Sequence, residues 1–471
     1  MGSIAATELE RPRTKGFRLG GDRQWRQTAW NRFERPLDGL ESFFASVHTL
    51  GAQHSRQHWA LSTGIKIRTE RATFTDDLKS VWIALRYRHP ILATQVENGK
   101  LVYNTADEIE LKQWLKETFI VHPPNMTGPE LYGTTPRPLK RVICNILPHT
   151  QEIVIQATHA HLDGLGGVTL FDNLLSMLNK PQQPPVFGDE AKNLLSPFSS
   201  LARVPAPTPE QQARWDQSLN TWLSAHPTLR LPATNTEDIP GRSRMHSLTF
   251  TEASTARIVS ASRELGLTVT HAAQAAIALA SRAYGGQTEH NTFATFAIFN
   301  AREYCTDSCP DASALVGPHL MASPATFKLG SFLTTAYGVR DTFVSSRADK
   351  YALAMGPTFF TAILGATATP PPIPTSTPML SSFGNLDGRL RRSYGLNETD
   401  GKKAIHVDDF WCTLDEVTPD IYIGLWTFRG RMRLQVGYNE KYHERESVER
   451  WFGLVKGELE AGLAVKLEVE E

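Results

Sequence analysis

The chain has 471 residues, more than one ordinary domain needs, and its 41% hydrophobic and 21% charged fractions suit a soluble globular protein with two sizeable cores. Lysine plus arginine equals aspartate plus glutamate at 49 each, which gives no pull toward nucleic acid or an anionic membrane and favours a small neutral partner. Cys144, Cys305, Cys309 and Cys412 are too few and too scattered for a disulfide framework and complete no zinc set, so reduced thiols in a cytoplasmic protein are expected.

Residues 1–7 lack the basic start and apolar core of a secretion signal, and Ala6 stands where a myristoylation signal needs Ser or Thr. No apolar run approaches the length of a membrane span. Residues 1–36 are polar and rich in Arg and Trp, and read as an arm anchored by Trp25 and Trp30. Ile65 and Ile67 alternate with polar residues and mark a strand. Leu78, Val81, Trp82 and Leu85 form one stripe of a helix over 75–88, capped by Thr75 and stopped ahead of His89-Pro90. A strand over 91–96, the turn Asn98-Gly99 and a return at 101–103 make a hairpin.

Prolines and glycines crowd 122–138, which reads as irregular loop. A hairpin of 141–147 and 152–157 follows, and a helix over about 168–178 closes the unit. Residues 181–241 are rich in Pro, Gln, Ser and Thr and read as a crossover, with one helix near 210–223. The second half brings a strand at 247–250 and helices over 252–265 and 270–284. The second of these is so rich in alanine that a neighbour must pack closely on it. A strand at 292–299 then leads into Asn300-Ala301-Arg302-Glu303. Helices near 331–353, a loop around 369–372, strands at 379–383, 420–428 and 431–439, and a last helix over 444–463 complete the chain. This mixture defines a mixed α/β (α+β) class. We expect two similar-sized lobes, 1–180 and 242–471, joined by the crossover 181–241, with the active site at their interface.

Between the strand 152–157 and the helix at 168 lies His159-Ala160-His161-Leu162-Asp163-Gly164, followed by Gly166 and Gly167. A histidine on a short turn after a rigid strand is a plausible general base, because its pKa lies near neutrality and its place is fixed. The glycines permit a tight turn. Two other readings attach to the same residues. The turn could be merely hydrogen-bonded structure. Alternatively, His159, His161 and Asp163 could share one strand face as metal ligands, but they fall short of a usual ligand set, so no metal is expected.

His159-x-x-x-Asp163-Gly164 after a strand, a third of the way along, resembles the motif of the CoA-dependent acyltransferase superfamily. That group includes chloramphenicol acetyltransferase, plant BAHD enzymes and peptide-synthetase condensation domains. Asn300-x-Arg302 after a strand resembles the group's second-half signature, and the run from Leu425 to Tyr442 is similar to fungal trichothecene 15-O-acetyltransferase relatives. The resemblance implies the chloramphenicol acetyltransferase-like fold. It implies an enzyme, an O-acyltransferase and most simply an O-acetyltransferase, acting on a hydroxyl of a fungal-type secondary metabolite such as a terpenoid. Acetyl-CoA would be a co-substrate, with no resident cofactor, no nucleic acid partner and a monomeric chain. His159 would be the base. Asp163 would point away from substrate and pair with an arginine, for which Arg302 is the candidate. Gly164 would make room for the turn, and His161 would be structural.

Ser381, Ser382 and Thr427 are the hydroxyls available for oxyanion stabilisation. Two departures bear on the branch. The plant-type Asp-Phe-Gly-Trp-Gly stretch is absent; Asp409-Phe410-Trp411-Cys412 is nearest and leaves Trp411 as a candidate near the CoA channel. Thr158 stands where condensation domains usually carry a second histidine. The alternatives are a same-fold enzyme using a carrier-bound acyl donor and a non-catalytic binding protein.

Overall fold

A computed structural model describes residues 24–470 apart from 135–137, 180–184, 227, 235–238, 288, 368–375 and 396–403. The expected hairpin Ile143–Leu147 with Glu152–Ala157 forms antiparallel and lies inside a six-stranded sheet. Across that sheet the strands run Ser393–Tyr394, Ile405–Leu414, Leu61–Arg68, Glu152–Ala157, Ile143–Leu147 and Phe119–Val121. Ile405–Leu414, from the second half of the sequence, is thus the direct neighbour of Leu61–Arg68 and completes the sheet of the first half.

One face of this sheet is covered by the helices Phe74–Arg88 and Gly164–Leu178. The helix stripe predicts the buried set: Leu78, Trp82 and Leu85 are fully buried against Ile65, Ile153, Ile155, Phe171 and Leu174. Burying a side chain of this size contributes of order 2 kcal/mol. Trp82 also stacks on Trp114, with ring centroids 5.9 Å apart.

A second sheet has the order Pro378–Asn385, Ile421–Phe428, Arg431–Asn439, Ser243–Thr249, its first pair parallel. The alanine-rich helix Val269–Tyr284 lies in the core behind it, packed closely on the last helix, Arg445–Leu463, as its small side chains require. A two-stranded ladder, Thr292–Asn300 with Leu320–Lys328, stands beside Pro378–Asn385. The helix Pro209–Ser224 occupies the crossover and begins with a Thr208 capping box. No helix among the described residues is long and apolar enough to cross a membrane.

Several local expectations are corrected. Trp30 is 81% exposed at the tip of the hairpin Arg26–Ala29/Arg32–Pro36 and anchors nothing, whereas Trp25 does anchor, through Nε1–H to the Leu195 carbonyl at 2.8 Å; residues 1–23 of the arm lie outside the described residues. The stretch 122–138 contains a short helix, Gly128–Thr134, because Pro129 falls in the first turn, where a missing N–H costs little. Residues 90–93 wind into a 3-10 turn with Pro90 at its start, and only Gln95–Glu97 is strand. The helix expected from Thr75 begins a turn edge earlier, after Thr73. The loop around 369–372 lies outside the described residues.

Candidate active site

Glu152–Ala157 leads into the histidine turn, which is fixed from both ends. At its start, His161 Nε2–H donates to the Thr94 carbonyl at 3.0 Å, and Nδ1 accepts from the Thr158 hydroxyl at 2.5 Å. Both ring nitrogens of His161 are used and the ring is 1% exposed, so His161 is part of the frame.

Asp163 anchors the other end. It is the N-cap of Gly164–Leu178, accepting from the Gly166 N–H at 2.6 Å. The Arg302 guanidinium meets both carboxylate oxygens, at 2.6 and 3.1 Å, and the His319 N–H donates to Oδ2 at 2.9 Å. Arg302 is itself held by the carbonyls of Leu315 and Gly317 and by the Asn300 amide oxygen. Burial pushes the Asp163 carboxyl up, but the charge and hydrogen bonds of Arg302, with the His319 N–H, leave it below the ordinary carboxylate range. This buried ion pair joins the turn to the segment that follows Thr292–Asn300. Space is tight here: a Cβ on Gly166 would lie 2.0 Å from the Val316 carbonyl oxygen, and one on Gly164 would lie 2.6 Å from the Phe383 ring.

His159 differs from both neighbours. The residue is 8% exposed and lines a narrow cleft of about 50 Å³. Nδ1 is buried with no partner of ordinary hydrogen-bond geometry, although the carbonyl of its own residue favours a proton there. A proton on Nδ1 leaves Nε2 as the nitrogen able to accept one. Burial lowers the pKa of His159 to about 4, against smaller upward pulls from Asp163 and its own carbonyl. The ring is therefore neutral across the physiological range, as a proton acceptor must be, but a weaker base than the near-neutral imidazole expected from the sequence. Phe44 stacks on it at 3.8 Å, and the His159 N–H donates to His48 Nε2 at 3.1 Å.

The cleft brings together His159, Asp163, Gly164, Arg302, Ser381 and Ser382. The rest of its lining is mostly apolar: Leu61, Leu165, Ile298, Phe299, Leu320, Phe383 and Leu414, with Asn300 and Tyr422. Ser382 exchanges a hydrogen bond with Thr270 at 2.8 Å, while the Tyr422 hydroxyl faces Ser381 and burial pushes its pKa well up. A second cavity, of about 590 Å³, reaches the far side of the turn at His48, Thr158 and His161 but not the His159 ring.

Trp411 and Thr427 do not join this group. On Ile405–Leu414, Phe410 and Cys412 face the first core, so Trp411 faces the opposite side, over Gly64 and among Leu131, Tyr132 and Val154. On Ile421–Phe428, Tyr422, Trp426 and Phe428 face the first core while Ile421, Ile423 and Leu425 face the second. Thr427 shares the second face and points away from the cleft. That same alternation was the available signal for Tyr422. Nothing in the sequence marked Phe44, His48 or His319 as neighbours of the turn. Among the described residues no group of three or more His, Cys, Asp or Glu side chains could hold a metal ion.

The buried Asp163–Arg302 pair fixes the turn, and His159 stands beside it on the cleft, in a fold of chloramphenicol acetyltransferase type. Comparison with known proteins agrees. No family model matches the chain. It is 24% identical to the O-acetyltransferase pigM of Monascus ruber over 461 residues, covering 94% of this chain and 88% of that protein. It is also 24% identical to the acetyltransferase pigO of Monascus ruber, covering 89% of this chain and 94% of that one. Among solved structures, the TRI3 trichothecene 15-O-acetyltransferase of Fusarium sporotrichioides superposes with a TM-score of 0.79 at 15% identity, covering 93% of this chain and 98% of that one. The resemblance drawn from the sequence is met in fold and in relatives, and by class the chain is an acyltransferase.

Proposed function

We propose that the chain transfers an acyl group, acetyl in the simplest case, from acyl-CoA to a hydroxyl of a neutral, largely apolar secondary metabolite. A terpenoid fits this description, as do other neutral alcohols of fungal secondary metabolism. His159 Nε2 takes the proton from the acceptor hydroxyl as its oxygen attacks the thioester carbonyl. The tetrahedral intermediate then expels the CoA thiolate, which recovers that proton from His159. Asp163 and Arg302 do no proton transfer; they hold the turn. Ser381, with Tyr422 beside it, and Ser382 are the hydroxyls suited to the developing oxyanion. The chain works as a cytoplasmic monomer with no resident cofactor.

The observation that carries this reading is the contrast inside the turn: a neutral imidazole on the cleft with no side-chain partner, four residues before a carboxylate held by Arg302 and the His319 N–H. The apolar cleft lining, with its one carboxylate already paired, supports a neutral acceptor. The test is incubation of the purified chain with acetyl-CoA and panels of terpenoid and polyketide alcohols, following thiol release and product mass. Release should depend on both the alcohol and His159. Equal release by wild type and His159→Ala would refute the role of the imidazole. Turnover with an acyl-loaded carrier domain but not with acetyl-CoA would refute the donor.

A further inference from the structure

We propose that Phe44 and His48 are positioning residues for His159, Phe44 by fixing its ring plane and supporting the cation it becomes, His48 by fixing the main chain that carries it. The proposal rests on His159 being the general base and extends that reading to an element far away in sequence.

Phe44 and His48 are four residues apart on the helix Gly39–His48 and so share one face. That face meets the catalytic residue twice. The Phe44 ring lies on the imidazole with centroids 3.8 Å apart and planes within 8°. One turn on, His48 Nε2 accepts the His159 N–H at 3.1 Å. The helix that delivers both is itself fixed. Asp38 and Glu41 form a capping box, with both bonds at 3.0 Å. Glu41 is bound two-fold by Arg35, at 2.6 and 2.7 Å, in a pair that is almost wholly buried. Phe43, beside Phe44, packs on Trp59 and Phe360. Phe44 cannot swing away without leaving its place in the core beside Phe43, and His48 is held by its bond to the His159 main chain.

Each contact does different work. A buried N–H without a partner is costly, and at a corner of the chain it would leave the His159 backbone free to tilt; His48 removes both problems. His48 must be neutral to accept at Nε2, and it is: burial, then the nearby His159, His161 and His58, push its pKa to about 3. Phe44 acts on the ring. When His159 accepts the hydroxyl proton it becomes a cation in a place where burial opposes charge. The negative face of a stacked benzene ring attracts that cation more than it attracts the neutral imidazole. An interaction that strengthens as the proton moves raises kcat and leaves ground-state binding alone.

The experiment compares Phe44→Leu, Phe44→Tyr, His48→Leu and His48→Gln with wild type and His159→Ala, reading kcat and both KM values by thiol release. Phe44→Leu should lower kcat roughly tenfold with KM unchanged, and Phe44→Tyr, which keeps the aromatic face, should recover most of it. His48→Leu should also lower kcat, by roughly tenfold, and His48→Gln, whose Oε1 can accept the same N–H, should restore it. In protein carrying 13C-labelled histidine, the ring proton signal of His159 should lie upfield, shifted by the Phe44 ring current, and move downfield in Phe44→Leu. A wild-type kcat in both leucine variants, or tyrosine and glutamine variants as impaired as the leucine ones, overturns the proposal. So does a loss expressed in KM alone. Residual full activity of His159→Ala would refute the base itself, a separate result.

Discussion

The two ends of the histidine turn are built on opposite plans. At the Asp163 end every hydrogen-bonding position of the carboxylate is occupied, by Arg302, the Gly166 N–H and the His319 N–H. At the His159 end the ring meets no side-chain partner, only its own carbonyl, and its main chain and one face are held. His161, two residues away, belongs to the first plan, with both nitrogens engaged. The difference separates support from chemistry. Within the turn, the groups that hold its shape are saturated with partners, while the residue placed to react lines the cleft without a side-chain partner.

Substitutions at the two ends should fail in different ways. The largest effect is expected at the unsaturated end: His159→Ala should cost 10²- to 10⁴-fold in kcat, on the order of a removed general base, with an unchanged urea unfolding midpoint. A midpoint that moved as far as the rate would remove the distinction. At the saturated end, Arg302→Met should destabilise by about 3–5 kcal/mol, because it strands a buried carboxylate. Urea unfolding measures this, and a loss below about 1 kcal/mol would mean that Asp163 finds other partners. Gly166→Ala tests the same end by volume. Its methyl would overlap the Val316 carbonyl, and a loss of about 1–3 kcal/mol is expected.

The smallest effect per group is spread over the interior. His48, His58 and His89 are buried with pKa values near 3, and His159, His161 and His319 with values near 4. In the unfolded chain each returns to about 6.5. Between those values the unfolded state binds more protons than the folded one, so stability falls as pH drops from about 6.5 toward 4. Urea midpoints measured from pH 7.5 to 5 should fall steadily below pH 6.5. A flat profile would show that these rings take up protons in the folded state.

The saturated end was the more legible of the two in the sequence. Asp163, Gly164 and Arg302 were marked by motif, and period-two alternation and helix stripes marked the sheets and cores around them. Trp411, suggested by a motif string, and Thr427, suggested by its hydroxyl, lie off the cleft because their strands turn those positions to the other face. The residues around the His159 ring escaped notice for a different reason. Phe44 and His48 come from a helix whose sequence is ordinary, and only long-range packing brings it over the turn. Trp30 looked like an anchor by residue type, but the hairpin tip leaves it exposed.

The strand Ile405–Leu414, lent by the second half to the sheet of the first, has a consequence for biosynthesis. Until it arrives, Leu61–Arg68 is an open border with unsatisfied amides on one side. The first half therefore leaves the ribosome with a sticky margin that only a segment made some 340 residues later can seal. Separately expressed halves should aggregate or find each other rather than fold alone, and a nascent chain of this protein has reason to be guarded by chaperones until nearly all of it has been made.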